Sequence, residues 1–408
     1  MNVETKKGLW EIVDYAYKKV PLYKKLMKEK ELNLLQLVDC KRWEELPIIE
    51  KNMLTQRTDE MISEEYYAQV ALNKVIHTHT SGSTGTFLDV YWKKQDLNRA
   101  LVPLWIDRWK KASICPSDKL CQFNTTLEKS LYQIENNRLI ISKQHLLEVS
   151  FFEIYDKIRE FSPSWVIIHP TIAKYFIEKI KQFELPTIET IKYIEVTGEI
   201  ALPGLINKIQ RECNCIVGNH YGCMEVQTIG YQEKEKYRLY DQSTYVEILD
   251  DFGNPVKEDT LGNIYVTSLH NRVMPIIRYG TGDKGCIFTE ICNGKVVRYL
   301  KLEKARSNDM INLNDSEKIF ADILLKPIEM INGYYQNVVY QFQAIQISYS
   351  EIKIKVVMDT AFSKQKFIGI YLDIMKKTIL KKYKFMFEFG DYLFPASNGK
   401  NAWFSCQI

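Results

Sequence analysis

Twice between residues 151 and 196 an amphipathic helical pattern runs straight into a short apolar stretch, and this alternation constrains the fold more than any other feature. Helical spacing over Phe151–Phe161 precedes WVIIH at Trp165, and helical spacing over residues 171–183 precedes IKYIEV at Ile191. Helices alternating with buried strands imply α/β layering. Upstream, Leu9, Ile12, Val13, Tyr15, Ala16, Leu22 and Leu26 approximate helical spacing, interrupted by Pro21, so two consecutive amphipathic helices are expected over residues 6–28.

After Tyr240 the texture changes to YVEILDDFGNPV, GNIYVTSL, IIRYGTGDKGCIF and GKVVRYLKL, short β-rich runs between Gly, Asn and Pro turns. These predict an antiparallel sheet or a small barrel-like part. From about Glu303 the pattern becomes ISYSEIKIKVVM, a basic helix over residues 364–383 and then FEFGDYLF, an α+β arrangement. A chain of 408 residues exceeds the roughly 250 to 300 at which one core stops growing. We therefore expect a layered α/β N-terminal domain over residues 1–303 and a smaller α+β domain over 304–408.

The charges, 55 Lys and Arg against 51 Asp and Glu, are spread along the chain rather than gathered into a basic tract, which argues against nucleic acid as a partner. Nine cysteines without a pairing pattern predict reduced thiols in a cytoplasmic setting. No uncharged apolar stretch of about 18 residues occurs, so neither export nor a membrane span is expected.

Three segments carry chemistry. HTSGSTGT, residues 79–86, places two glycines and five hydroxyl side chains within residues 80–86. Such a loop can cradle polyphosphate oxygens with backbone N–H and hydroxyl donors, or be a polar turn; it is not a P-loop, because no GK[ST] follows. In GNHYGCMEV, residues 218–226, Tyr221 can cover a planar base and Glu225 can hold Mg²⁺ on a phosphate. In PIIRYGTGDKG, residues 275–285, Asp283 in a Gly-flanked turn can accept hydrogen bonds from two ribose hydroxyls. Taken singly, each of these acids also reads as a solvated residue of a surface turn.

Taken in order, the motifs AYKKVPLYKKL, ELPIIEKNML, TSGSTGT, HPTIAKYF, EVTGEIALPGLINKI, YGCMEV, YVEILDDFGNPV, MPIIRYGTGDKG, ARSNDMINL and FPASNGK resemble the adenylate-forming superfamily, in its phenylacetate-CoA ligase and CapK-like branch. The resemblance implies ATP and Mg²⁺ as cofactors and a large domain followed by a small mobile one hinged near Asp309. It implies that Thr80, Ser81, Gly82, Ser83, Thr84 and Gly85 hold the β and γ phosphates. Gly198 and Glu199 would line the adenine site, with Asn219, His220 and Tyr221 beside the base. Asp283 and Arg306 would bind the ribose, Glu225 would hold Mg²⁺, and Lys400 would be the adenylating lysine. Phe123, Asn124, Gly222, Cys223 and Met224 fall where the family selects its acid, by habit aromatic or medium-sized. His79 and His169 lie beside motifs and are candidates too.

The implied activity is conversion of a small carboxylic acid to an acyl-adenylate, followed by transfer to a thiol, either CoA or the phosphopantetheine of a carrier protein. The sequence departs from the pattern in places. Met224 replaces the usual threonine, no lysine closes the phosphate loop, Ala305 replaces a glycine, and Asp315 stands where a glycine lets pantetheine pass. Two other readings follow: an amine acceptor, giving an amide, or a degenerate nucleotide- or acyl-binding protein. Cys213, Cys215 and Cys223 lack zinc-ligand spacing, so no zinc site is expected. A homodimer is implied by the resemblance alone.

Overall fold

Phe151, Ile154, Tyr155, Ile158 and Phe161 fall on one stripe of the helix Phe151–Phe161, and the computed structural model buries all of them. The structure describes residues 3–31, 43–79, 88–124, 130–142, 150–199, 201, 203–306, 310–335, 338–391, 393 and 403–408. The chain divides into two compact units: Met1–Lys110 with His220–Glu303, and Lys111–Asn219 with Lys304–Ile408.

In chain order the strands are β1 (Ile76–His79), β2 (Asp89–Trp92), β3 (Leu120–Asn124), β4 (Tyr132–Glu135), β5 (Arg138–Ser142), β6 (Trp165–Ile168), β7 (Tyr193–Thr197), β8 (Ile216–Tyr221), β9 (Gly230–Glu233) and β10 (Lys236–Leu239). They continue as β11 (Thr244–Leu249), β12 (Gly262–Ser268), β13 (Tyr279–Cys292), β14 (Lys295–Arg306), β15 (Met310–Asn312), β16 (Lys318–Phe320), β17 (Val339–Ser348), β18 (Glu351–Met358), β19 (Lys384–Phe389) and β20 (Phe404–Cys406).

The first unit opens with the helices Val3–Lys19 and Pro21–Glu29. Pro21 begins the second because its fixed φ suits a helix start, where its missing N–H costs nothing. These helices contribute Leu9, Val13, Leu22, Tyr23 and Leu26 to a core shared with strand residues Val246, Ile264, Val266 and Tyr279. The β-rich half of the unit is an antiparallel ladder in the order β11, β12, β13, β14, β10, β9, continued by His220 and Tyr221 of β8 opposite Tyr231 and Gly230. Among the described residues no pairing closes it into a barrel. The hairpin β1–β2 brackets the hydroxyl-rich loop, which lies outside the described residues together with Phe87.

In the second unit β7, β6, β3 and β5 pair in parallel and β4 adds an antiparallel edge. Four consecutive residues of β7, Tyr193 to Val196, are buried, as expected where helices cover both faces of a parallel sheet. The helix predicted over 171–183 spans Pro170–Gln182, again with proline in its first turn. A separate hydrophobic cluster is built wholly from residues 311–404, around the sheet β19–β18–β17–β20 and the helices Lys326–Tyr334 and Lys364–Met375. The basic helix stops at Met375 rather than Tyr383: the Thr378 hydroxyl donates to the Met375 carbonyl at 2.7 Å and accepts from Leu380 N at 3.1 Å, so its side chain competes with the helical ladder. No helix among the described residues is long and apolar enough to cross a membrane.

Candidate nucleotide and metal site

In the first unit β8 delivers Tyr221 into a tight turn. A Cβ at Gly222 would sit 2.1 Å from the Gln227 carbonyl oxygen, so only glycine lets the chain fold back this closely. The turn closes with Gln227 N donating to Cys223 O at 2.6 Å, and the His220 Nε2 to Thr228 Oγ1 contact at 2.9 Å fixes its other side. Glu225 is thereby carried inward, to 5% exposure.

Asp283 departs from its expected position in a turn: it lies within β13. Between Gly280 and Lys284 three residues face the single residue between Tyr265 and Asn263 on β12, a local bulge made by Gly282 at φ +79°. The sequence resembles a turn because the same glycine chemistry serves both.

Tyr221, Glu225, Tyr279 and Asp283 meet here. The Tyr221 hydroxyl donates to Asp283 Oδ2 at 2.8 Å, and the Tyr279 hydroxyl donates to Glu225 Oε1 at 2.8 Å. Burial, and then the Glu225 charge, raise the Tyr279 hydroxyl above its ordinary pKa; the same causes raise the Cys223 thiol. Among the described residues no lysine, arginine or histidine pairs with Glu225. A buried carboxylate without a cationic neighbour is costly, and a cation held against it removes that cost. Mg²⁺ fits this donor set, because it binds through one or two carboxylates plus substrate phosphates and keeps several waters. Among the described residues no three His, Cys, Asp or Glu side chains group to hold a metal by themselves.

In the second unit Gly198 adopts φ +80°, and a Cβ there would meet His169 Nε2 at 3.0 Å. The Glu199 carboxylate faces the start of the helix Pro170–Gln182, where Oε2 accepts from Thr171 N at 3.2 Å and from Thr171 Oγ1 at 2.7 Å, and Oε1 lies 3.3 Å from His169 Nδ1. Glu199 thus caps a helix, and His169 packs against its turn. Asn219 is buried in β8. Phe123, expected in an acid pocket, is packed in the core, edge-on to Phe176 with ring centroids 5.2 Å apart; an apolar residue of a strand covered by helices goes inward.

Of the remaining expected site residues, Cys223 is half-buried beside Glu225 and Met224 is exposed at 38%. Thr80, Ser81, Gly82, Ser83, Thr84, Gly85, Asp309 and Lys400 lie outside the described residues, as do the side chains of His79, Asn124 and Arg306. Two contributors escaped the sequence reading. Tyr279 could have been found from the repeated Tyr-Gly-X-X-acid pattern of YGCME and YGTGD, whereas nothing local marks Thr171.

No family model matches the chain. Its sequence is similar to Protein CapK of Staphylococcus aureus, 22% identical over 403 residues that cover 93% of this chain and 81% of that protein. It is also similar to phenylacetate-coenzyme A ligase of Thermus thermophilus, 23% identical over 142 residues, 33% of this chain and 32% of that one. Among solved structures, 2-hydroxyisobutyryl-CoA ligase in the postadenylation state aligns with a TM-score of 0.72 at 15% identity, over 98% of this chain and 87% of that chain. The chain has the fold of adenylate-forming enzymes and is similar in sequence to Protein CapK and phenylacetate-coenzyme A ligase.

Proposed function

We propose that this chain activates a small carboxylic acid with ATP, giving an acyl-adenylate and pyrophosphate, and then hands the acyl group to an acceptor. The observation that carries the reading is Glu225, a buried carboxylate with no cationic partner among the described residues, whose tyrosine donor, Tyr279, sits on the strand that carries Asp283.

In this reading Tyr221 lies against the adenine and Asp283 accepts from the ribose hydroxyls, with Arg306 beside them. Residues 80–85 donate to the β and γ phosphates, and Glu225 holds Mg²⁺. The ion, when bound, neutralises phosphate charge. A substrate carboxylate oxygen attacks the α-phosphorus in line, the bond to the bridging pyrophosphate oxygen breaks, and pyrophosphate leaves with that electron pair. No general base is required, because a carboxylic acid is already ionised at neutral pH. Two anions must be brought together, and Lys400, carried by the small domain hinged near Asp309, bridges them where charge develops. Transfer follows when the acceptor attacks the acyl carbon, loses its proton and expels AMP.

An amine, which needs no pantetheine channel, is the favoured acceptor over free CoA. Asp315 supports this preference: its carboxylate accepts from the Tyr349 hydroxyl at a position where a glycine would leave room and no charge. Incubation with ATP, Mg²⁺ and a panel of acids in the presence of hydroxylamine tests the reading, because an acyl-adenylate is trapped as a hydroxamate. ATP-dependent hydroxamate with one acid class is expected. Nucleotide binding without hydroxamate from any acid would leave only a binding protein.

A further inference from the structure

YGCME at 221–225 and YGTGD at 279–283 share one pattern, a tyrosine and an acid four residues apart with glycine after the tyrosine. The structure crosses them: the tyrosine of each segment holds the acid of the other, Tyr221 on Asp283 and Tyr279 on Glu225, both at 2.8 Å. The two glycines make the crossing geometrically feasible. A Cβ on Gly222 would collide with the Gln227 carbonyl, and one on Gly280 would come within 3.0 Å of the Glu50 carboxylate and 3.2 Å of the Tyr265 ring. Tyr279 is itself anchored, since Ile49 bridges it in parallel and Gly280 N donates to Ile49 O at 2.9 Å. It is 2% exposed, so its hydroxyl has little recourse to solvent.

We propose that Tyr279 and Tyr221 are positioning residues forming a crossed brace: Tyr279 aims Glu225 at a divalent cation and Tyr221 aims Asp283 at the nucleotide's sugar hydroxyls. This rests on the nucleotide reading above. A hydroxyl donated to a carboxylate out of bulk water is a charge-assisted bond that fixes the carboxylate's orientation. Removing it without changing the ring's shape frees the acid to rotate while the core stays filled. Because each tyrosine serves the opposite segment, the two losses separate by ligand.

Isothermal calorimetry of AMP binding without metal, and of ATP binding across a Mg²⁺ series, tests this on the wild type, Tyr279→Phe, Tyr221→Phe, Glu225→Gln and the Tyr279→Phe/Glu225→Gln double variant. Circular dichroism melts confirm that each is folded. Tyr279→Phe should raise the Mg²⁺ needed for half-maximal ATP binding roughly tenfold and leave metal-free AMP binding unchanged. Tyr221→Phe should weaken AMP roughly tenfold and leave the Mg²⁺ requirement unchanged. The double variant should need no more Mg²⁺ than Glu225→Gln alone, the mark of one shared interaction. Equal losses of both ligands in both tyrosine variants, or no shift in Tyr279→Phe, would overturn the brace and leave the nucleotide reading standing. A folded wild type that binds neither AMP nor ATP would overturn both.

Discussion

Thr171 gives both its backbone N–H and its hydroxyl to one oxygen of Glu199, at 3.2 and 2.7 Å, so a turn 28 residues downstream caps the helix Pro170–Gln182. The first N–H groups of a helix have no partner within it, and a carboxylate there also meets the positive end of the helix dipole. Glu199→Ala should cost about 1 to 2 kcal/mol in urea unfolding, the usual range for a lost cap. Glu199→Gln, which retains an oxygen acceptor, should cost less.

Arg278 is fully buried and uses its guanidinium on Glu247 at 2.9 and 3.4 Å and on the carbonyls of Glu44 and Leu46 at 2.8 and 2.6 Å. Burial raises the Glu247 pKa, and the arginine opposes that shift. Arg278→Met strands a buried carboxylate and should destabilise the fold by about 3 to 5 kcal/mol. Adding Glu247→Met should recover most of the loss; equal stability of the single and double variants in guanidinium unfolding would contradict the account.

Local chemistry was readable from the sequence where one segment decides it. The stripe of Phe151, Ile154, Tyr155, Ile158 and Phe161 defines its helix and its buried face together, and Pro21 divides the first two helices. Glycine misled at Gly282, because positive φ serves a strand bulge as well as a turn, and the run of lysines after Met375 hid a stop set by the Thr378 hydroxyl. The site was legible as a set of motifs but not as a set of contacts. Tyr279 and Glu225 are 54 residues apart and Thr171 and Glu199 are 28 apart, separations that only the strand order and a helix start bring together.

Lys174 is buried at 2% exposure with its ammonium 3.4 Å from the Asp391 carbonyl, 3.7 Å from Glu178 and 4.9 Å from the centre of the Tyr340 ring. Burial lowers its pKa to about 8, Glu178 opposing the shift. A lysine with a depressed folded pKa binds fewer protons folded than unfolded, so its penalty is full below about pH 8 and is relieved as pH rises towards 10.5. The shift corresponds to a penalty on the order of 3 kcal/mol at neutral pH. Lys174→Met should therefore be more stable than wild type at pH 7, by about 1 to 3 kcal/mol, and should flatten the rise in stability between pH 8 and 10. Urea midpoints at pH 7 and 9.5 check this; a less stable variant at pH 7 would contradict it.

Asp315 accepts a hydrogen bond from Tyr349. If its carboxylate narrows the approach of a pantetheine arm, wild type should form thioester from free CoA slowly, and Asp315→Gly should raise that rate by at least about tenfold, corresponding to roughly 1.4 kcal/mol of barrier. Hydroxamate trapping of the adenylate should not change. Equal thioester rates in the two proteins would remove Asp315 from the account.

The central claim is acid activation by adenylation, and exchange of labelled pyrophosphate into ATP measures it most directly. Wild type should exchange only when a suitable carboxylic acid is present, and Lys400→Ala should lose at least about 100-fold while still binding AMP, as expected when a charge aligned with the reacting groups is removed. Acid-independent exchange, equal exchange in Lys400→Ala, or AMP binding with no exchange from any acid would contradict the claim.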